Sequence, residues 1–350
     1  MFHAVHSSTL AQGFQKSEQR HLKQVYSYAK RHLSTMGRRS GENYFQHGTE
    51  VANTLKELSN DPNLIEVAIL HDLLIVPNGR ELLRDAPLSR LQKRLVHGMH
   101  ILRRLHIDER NVDLDLVIRK FSREGRLLLL RMAHRLNDIR HLHRFTKSVR
   151  NEIANESLHM YTVIAGRLGL HKWMQEMGDR CFELLQSKLH RMVSKKFAET
   201  AEIDKKLIEF SSSFLTHKLK KEGIPFRLES RIKSLYSSHR KMLSKRKNFR
   251  EIDDRLALRV IVRTEQDCYR TLEIVHANMN PSLKKFQDFI RKPKANGYQS
   301  LHTTAYPLSG NRKQPMEIQI RTEEMDRECE YGIASHTDYK ISNYGLSTLF

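Results

Sequence analysis

A chain of 350 residues with 61 lysines and arginines against 40 aspartates and glutamates carries a formal charge of +21, a field that concentrates polyanions such as nucleotides or RNA. Its 39% hydrophobic and 29% charged residues exclude a disordered chain, and no stretch approaches the roughly 18 consecutive apolar residues of a membrane span. The opening MFHAVHSSTLAQGF lacks the basic and apolar regions of a secretory signal, and Cys181, Cys268 and Cys329 follow no metal or redox spacing; both point to a cytoplasmic setting with no membrane partner.

Residues 1–195 read as almost wholly helical. Apolar residues recur at three- and four-residue spacing in Val51, Leu55 and Leu58, and again in Leu127, Leu128, Met132, Leu136, Ile139 and Leu142, the period of helices that bury one face. Pro77-Asn78-Gly79 marks a break. Residues 196–225 read as a charged helical linker leading away from that bundle. The texture shifts after Gly223-Ile224-Pro225: Leu256–Val262 and Met316–Arg321 are β-branched runs of strand length, with helices expected at 232–243, 268–278 and 323–334. The expected class is therefore α+β, an all-α domain followed over 226–350 by a sheet flanked by helices.

Lys292 to Thr304, K-P-K-A-N-G-Y-Q-S-L-H-T-T, has the mix that suits a nucleotide. Asn296-Gly297 is a turn signal because both residues tolerate positive φ. Tyr298 then projects from a loop whose Lys292 and Lys294 offer mobile charges for phosphate, and an aromatic face beside cations holds a base and its phosphates together. Asp254 stands at the mouth of one predicted strand and Glu317 at the start of another. If the two strands are neighbours, their carboxylates meet at one edge, the arrangement for a Mg²⁺ ion shared with substrate phosphates. Arg231, Lys233, Arg240 and Lys241 recur at helical spacing and extend a basic surface toward that edge.

The series R-I-K-S-L-Y-S-S-H-R-K-M (231–242), E-I-D-D-R-L-A-L-R-V-I-V (251–262), C-Y-R-T-L-E-I-V-H (268–276), K-A-N-G-Y-Q-S-L-H-T-T (294–304) and M-E-I-Q-I-R-T-E-E-M (316–325) resembles, in order and spacing, the synthetase domain of the RelA/SpoT homologue family. The resemblance implies a nucleotidyltransferase-like sheet and a transfer of pyrophosphate from ATP to the 3′-hydroxyl of GDP or GTP, giving ppGpp or pppGpp. It implies that Arg231, Lys233, Ser237, Lys241 and Arg259 line the ATP phosphates and that Asp254 ligates Mg²⁺. Glu317 is implied beside the attacking oxygen and the metal, Tyr298 stacked on guanine, and Lys294, Asn296 and His302 around the guanosine nucleotide. Two residues depart from the family pattern: Ser230 stands where glycine is usual, and Gln287 where a lysine is common.

Upstream, R-R-S-G-E-N-Y-F-Q-H-G-T-E-V-A (38–52) and V-A-I-L-H-D-L-L (67–74) resemble the HD hydrolase domain that long family members carry to remove the 3′-pyrophosphate. His47, His71 and Asp72 have the donor types for a transition metal such as Mn²⁺. The family continues after His-Asp with two residues and then Glu-Asp-Thr, whereas here Ile75, Val76 and Pro77 follow Leu73 and Leu74; neither isoleucine nor valine can serve as a base. In the later A-D-R-L-H-N-M-R pattern, His134 replaces the last metal-ligating aspartate and Asp138 a nucleotide-contacting asparagine. His47, His71, Asp72 and His134 remain plausible ligands. Four outcomes stay open: a synthetase with an inactive HD domain, a bifunctional synthetase and hydrolase, an offshoot that pyrophosphorylates another acceptor such as tRNA, or a nucleotide-sensing regulator, against which intact Asp254, Tyr298 and Glu317 argue. Nothing in the sequence supports ribosome contact or fixes the oligomeric state.

Overall fold

The computed structural model describes residues 4–104, 125–252, 254–294, 297–306 and 314–331. The chain divides into two compact units, one running to Ala165 and the next beginning at Gly166, which sets the division earlier than residue 195. Among the described residues no helix is long and apolar enough to cross a membrane.

The described residues of the first unit build helices: α1 (Ser7–Leu10), α2 (Lys16–Leu33), α3 (Tyr44–Lys56), α4 (Pro62–Leu70), α5 (Gly79–Asp85), α6 (Arg90–Arg104), α7 (Gly125–Arg140) and α8 (Lys147–Glu156). Local chemistry fixes the starts. Asn43 caps α3 by accepting from Gln46 N at 2.8 Å while the Gln46 side chain returns to Asn43 N, and Asp61 with Pro62 opens α4. The Pro77-Asn78-Gly79 break is real: Asn78 takes φ 57° and α5 begins after it. Gly48 sits where a Cβ would meet Ile69 O at 2.3 Å. Only glycine allows that approach of α3 to α4, and it brings His47 beside His71.

The second unit holds α10 (His171–Leu185), α11 (Ser187–Lys221), α12 (Leu235–Lys245), α13 (Glu265–Asn278) and α14 (Glu323–Tyr331), with α9 (Thr162–Arg167) spanning the division. Its sheet has the order β1-β2-β6-β5-β3, where β1 is Phe226–Ile232, β2 Leu256–Val262, β3 Asn280–Pro281, β5 Leu301–Tyr306 and β6 Met316–Thr322; β4 (Gln287–Asp288) pairs with β5 off that path. β2 and β6 run parallel, and the other pairs are antiparallel. The architecture is the expected α+β.

Alternation along the strands separates two chemistries. Leu256, Leu258, Val260 and Val262 of β2, Ile318 and Ile320 of β6, and Leu301 and Ala305 of β5 enter one core with Leu207, Leu215 and Leu219 of α11 and Val275 of α13. Residues 196–225 therefore do not lead away as a linker; most of them are helix, and its apolar stripe is part of the second unit's core. Of the intervening residues, Arg259 of β2, Glu317, Gln319 and Arg321 of β6 and His302 and Thr304 of β5 are charged or polar, while Ala257 and Ile261 of β2 are apolar.

Candidate functional site

The polar face of the sheet follows from its register. Arg231 of β1 pairs with Ala257 of β2, which pairs with Glu317 of β6. One step on, Glu229, Arg259, Gln319 and His302 align in the same way across β1, β2, β6 and β5. The predicted strands are neighbours, so Asp254, just before β2, and Glu317 open into one cavity of about 650 Å³. Arg231, Lys233, Lys241, Arg259, Lys294, Tyr298 and His302 line it as well. Its cations outnumber its carboxylates, as a site for polyphosphate requires.

Three expectations change, and a fourth falls outside the described residues. Arg231 lies on a strand, and only Arg240 and Lys241 are on a helix, α12. The basic series is thus split between two elements that meet at the cavity. Ser237 is absent from the lining; its hydroxyl accepts from Ser234 Oγ at 3.0 Å in the first turn of α12. Asn296 lies outside the described residues, although its neighbour Gly297 takes φ 77° and donates to Lys294 O at 2.8 Å, as a tight turn demands. Tyr298 does not project freely: its Oη lies 2.6 Å from His302 Nε2, and burial is the main reason its hydroxyl is pushed up to about 12.

Each carboxylate is tuned by its neighbours. Asp254 Oδ2 takes Lys233 Nζ at 3.0 Å and Lys241 Nζ at 2.7 Å. Burial alone would raise its pKa, but the two ammonium groups outweigh it and hold the carboxyl below its usual value. Its Oδ1 is buried and accepts no hydrogen bond among the described residues. Glu317 Oε1 lies 3.3 Å from His302 Nδ1, and Oε2 accepts from Gln319 Nε2 at 2.7 Å. Burial again works to raise the pKa, and His302 and Gln319 more than offset it. His302 lies between the other two, Nε2 against the Tyr298 hydroxyl and Nδ1 against the Glu317 carboxylate, so a polar chain runs from Tyr298 through His302 to Glu317.

Lining residues that sequence reasoning passed over include His171, Lys172 and Gln175 of α10, together with Gln319, Arg321 and Cys329. Gln319 and Arg321 were within reach, since M-E-I-Q-I-R-T puts them on the same face as Glu317. The α10 residues carry no such signal, because only the tertiary fold brings that helix to the sheet.

In the first unit the predicted donors do converge. His47, His71, Asp72 and His134 are buried, and one ligand atom from each lies within 4.8 Å of the others. The Nε2 atoms of His47, His71 and His134 and Oδ2 of Asp72 make no hydrogen bond among the described residues. Four orphaned buried polar atoms facing one point fit a bound metal ion. Burial is the first cause that lowers the pKa of all three histidines. Asp72 stays well below the usual carboxylate range: burial works the other way, and His71, Arg103 and His47 outweigh it. Neutral imidazoles beside an ionised carboxylate are the forms that bind metal. The 73–76 segment contributes no carboxylate; it forms a short 3₁₀ turn at Leu73–Ile75, with Val76 buried.

Comparison with known proteins agrees with this division. Residues 230–344 match the family described as a region found in RelA/SpoT proteins, and residues 26–171 match an HD domain. A GTP pyrophosphokinase rsh from Brucella melitensis is 33% identical over 91% of this chain and 43% of its own length. The bifunctional (p)ppGpp synthase/hydrolase SpoT from Escherichia coli is 33% identical over 91% of this chain and 46% of its own. The chain thus spans less than half the length of these relatives. The crystal structure of small alarmone synthetase 2 from Bacillus subtilis is 26% identical, covering 35% of this chain and 71% of that one, with a TM-score of 0.31. With an HD domain followed by the RelA/SpoT region at this level of identity, the chain belongs to the RelA/SpoT family.

Proposed function

We propose that the second unit transfers pyrophosphate from ATP to the 3′-hydroxyl of GDP or GTP, and that the first unit does not hydrolyse the product. The observation that carries this reading is the polar sheet face, where Arg231, Arg259, Lys233 and Lys241 share one cavity with Asp254, Glu317 and Tyr298. Attack of the 3′-oxygen at the β-phosphorus of ATP forms the new O–P bond, breaks the bond from that phosphorus to the α–β bridging oxygen so that AMP leaves, and spreads charge over non-bridging oxygens, so positioning and fixed cations carry most of the catalysis. Asp254, with its orphaned Oδ1, and Glu317 would hold Mg²⁺, which when bound neutralises phosphate charge. Glu317, ionised and held by His302 and Gln319, orients the 3′-hydroxyl and takes up its proton. The reading of a silent first unit rests on Leu73 to Val76, a segment that supplies no acid to act as base directly after His71-Asp72. Incubating the chain with ATP plus GDP, GTP or tRNA and separating the products tests the acceptor; labelled tRNA with unchanged GDP and GTP would overturn it. Turnover of labelled ppGpp with Mn²⁺ at a rate comparable with synthesis would overturn the silent first unit.

Two further results are expected. Tyr298→Ala should raise the apparent requirement for GDP or GTP by roughly 5- to 150-fold, the range for loss of one stacked base, with much less effect on ATP. Tyr298→Phe keeps the ring and removes the hydroxyl with its bonds to His302 and Ser300, so its guanosine requirement should stay near wild type; equal effects of Tyr298→Ala on both nucleotides would place the loop on the wrong substrate. Thiol labelling of the native chain should reach Cys329 first, since Cys181 and Cys268 are buried and burial pushes the Cys268 thiol up to about 12. Cys329 lines the cavity, so saturating ATP and GDP should slow that labelling, and an unchanged rate would argue against nucleotide in this cavity.

A further inference from the structure

Metal-binding histidines are usually fixed by what their second ring nitrogen touches, and the first unit places such an acceptor beside His71 and His134, whereas His47 Nδ1 faces an amide donor. His71 Nδ1 lies 2.7 Å from Ala68 O, an acceptor that fixes the proton on Nδ1 and leaves Nε2 as the lone pair. His134 Nδ1 lies 3.2 Å from Asp138 Oδ2, closer than Arg131 Nη1 at 3.4 Å. His47 Nδ1 has the Asn137 amide at 3.4 Å and Glu42 Oε1 at 3.8 Å. Asp72 takes Arg103 Nη1 on Oδ1 at 2.6 Å, which leaves Oδ2 turned inward. Within this set the orphaned histidine atoms are all Nε2 and the orphaned carboxylate atom is Oδ2 of Asp72, with Glu42 Oε2 also orphaned behind His47, and all four residues are 2% exposed or less.

We infer that His47, His71, Asp72 and His134 form a closed, zinc-type structural site, and that His134 and Asp138 act in it as one carboxylate–histidine unit. Three imidazoles and a single carboxylate are a softer, less anionic donor set than one with two carboxylates, and they favour zinc over manganese. Four protein donors also fill the usual zinc shell, leaving no position for a reacting water. The two departures on α7 then explain each other. One helical turn apart, His134 provides the ligand, and Asp138 holds its far nitrogen and adds back negative charge next to the site. The inference is independent of the synthetic reaction, because metal content and melting temperature report on it without any nucleotide turnover.

The test uses the full chain. As purified it should contain about one zinc per chain, and after chelation Zn²⁺ should raise the melting temperature more than equimolar Mn²⁺ does. Asp138→Asn should weaken Zn²⁺ binding by about 10- to 100-fold, the usual effect of losing such a partner. His134→Asp should lower the preference for Zn²⁺ over Mn²⁺ at least tenfold. Should either variant fail to fold by circular dichroism, the metal content and melting shift of the wild-type chain decide alone. Manganese retained in place of zinc, no melting shift with Zn²⁺, or unchanged Zn²⁺ affinity in a folded Asp138→Asn would overturn the inference.

Discussion

Glu317→Gln is expected to lower pyrophosphate transfer by about 10²- to 10⁴-fold, the range for loss of a positioned proton acceptor, while ATP and GDP still bind within a few-fold of wild type. The substitution keeps the shape of the side chain. His302 Nδ1 can still donate to the amide oxygen as it does to Glu317 Oε1 at 3.3 Å, so the Tyr298–His302 end of the chain survives. What is lost is the negative charge, and with it both the proton acceptor and one oxygen for Mg²⁺. The two losses can be separated. If Glu317 serves mainly the ion, raising Mg²⁺ should recover much of the rate; if it serves the proton, it should not. Product formation by chromatography and binding by calorimetry make the comparison, and near-normal product formation would remove Glu317 from its role.

Why some of this was readable in advance and some was not follows from burial. L-A-L-R-V-I-V and M-E-I-Q-I-R-T are strands because their β-branched residues feed a core while Arg259, Glu317 and Gln319 ride the other face, and that alternation survives in the sequence. β1, F-R-L-E-S-R-I, sits at the sheet edge with a mixed exposure pattern; its charged residues resembled a solvated helix face, so Arg231 was put on the wrong element. β5, L-H-T-T-A-Y, has no apolar run, and its pairing with β6 is set by a register no local pattern reveals. The metal donors were found by motif, but the partnership of His134 with Asp138 needed α7 to be a helix and Asp138 to turn toward the ring. α11 was misjudged for a further reason. Charge crowds its sequence, and a buried aspartate is invisible to a rule that reads charge as solvent.

That aspartate sets the second large effect, because Asp204→Ala should destabilise the second unit by about 3–5 kcal/mol, the cost of leaving one member of a buried ion pair without its partner. Arg255 is 1% exposed and Asp204 2%. The guanidinium bonds Asp204 through both terminal nitrogens, with Nη2 to Oδ1 at 2.9 Å, and also reaches Thr200 Oγ1 at 3.2 Å and Gln314 Oε1 at 3.0 Å. Its carbonyl accepts from Lys233 N at 2.9 Å. Arg255 therefore ties α11 to the residues that carry Asp254 and Lys233, and weakening it should disturb the cavity as well as the fold. Removing both charges should behave differently. Asp204→Leu with Arg255→Met leaves neither ion of the pair buried alone, and the end of the Arg255 side chain already lies over Phe249, with the guanidinium 4.9 Å from the ring centre. The double variant should recover most of the lost stability. Denaturant unfolding of the three chains measures this, and an Asp204→Ala midpoint within about 0.5 kcal/mol of wild type, the range of an ordinary surface substitution, would show that the pair is not a buried anchor.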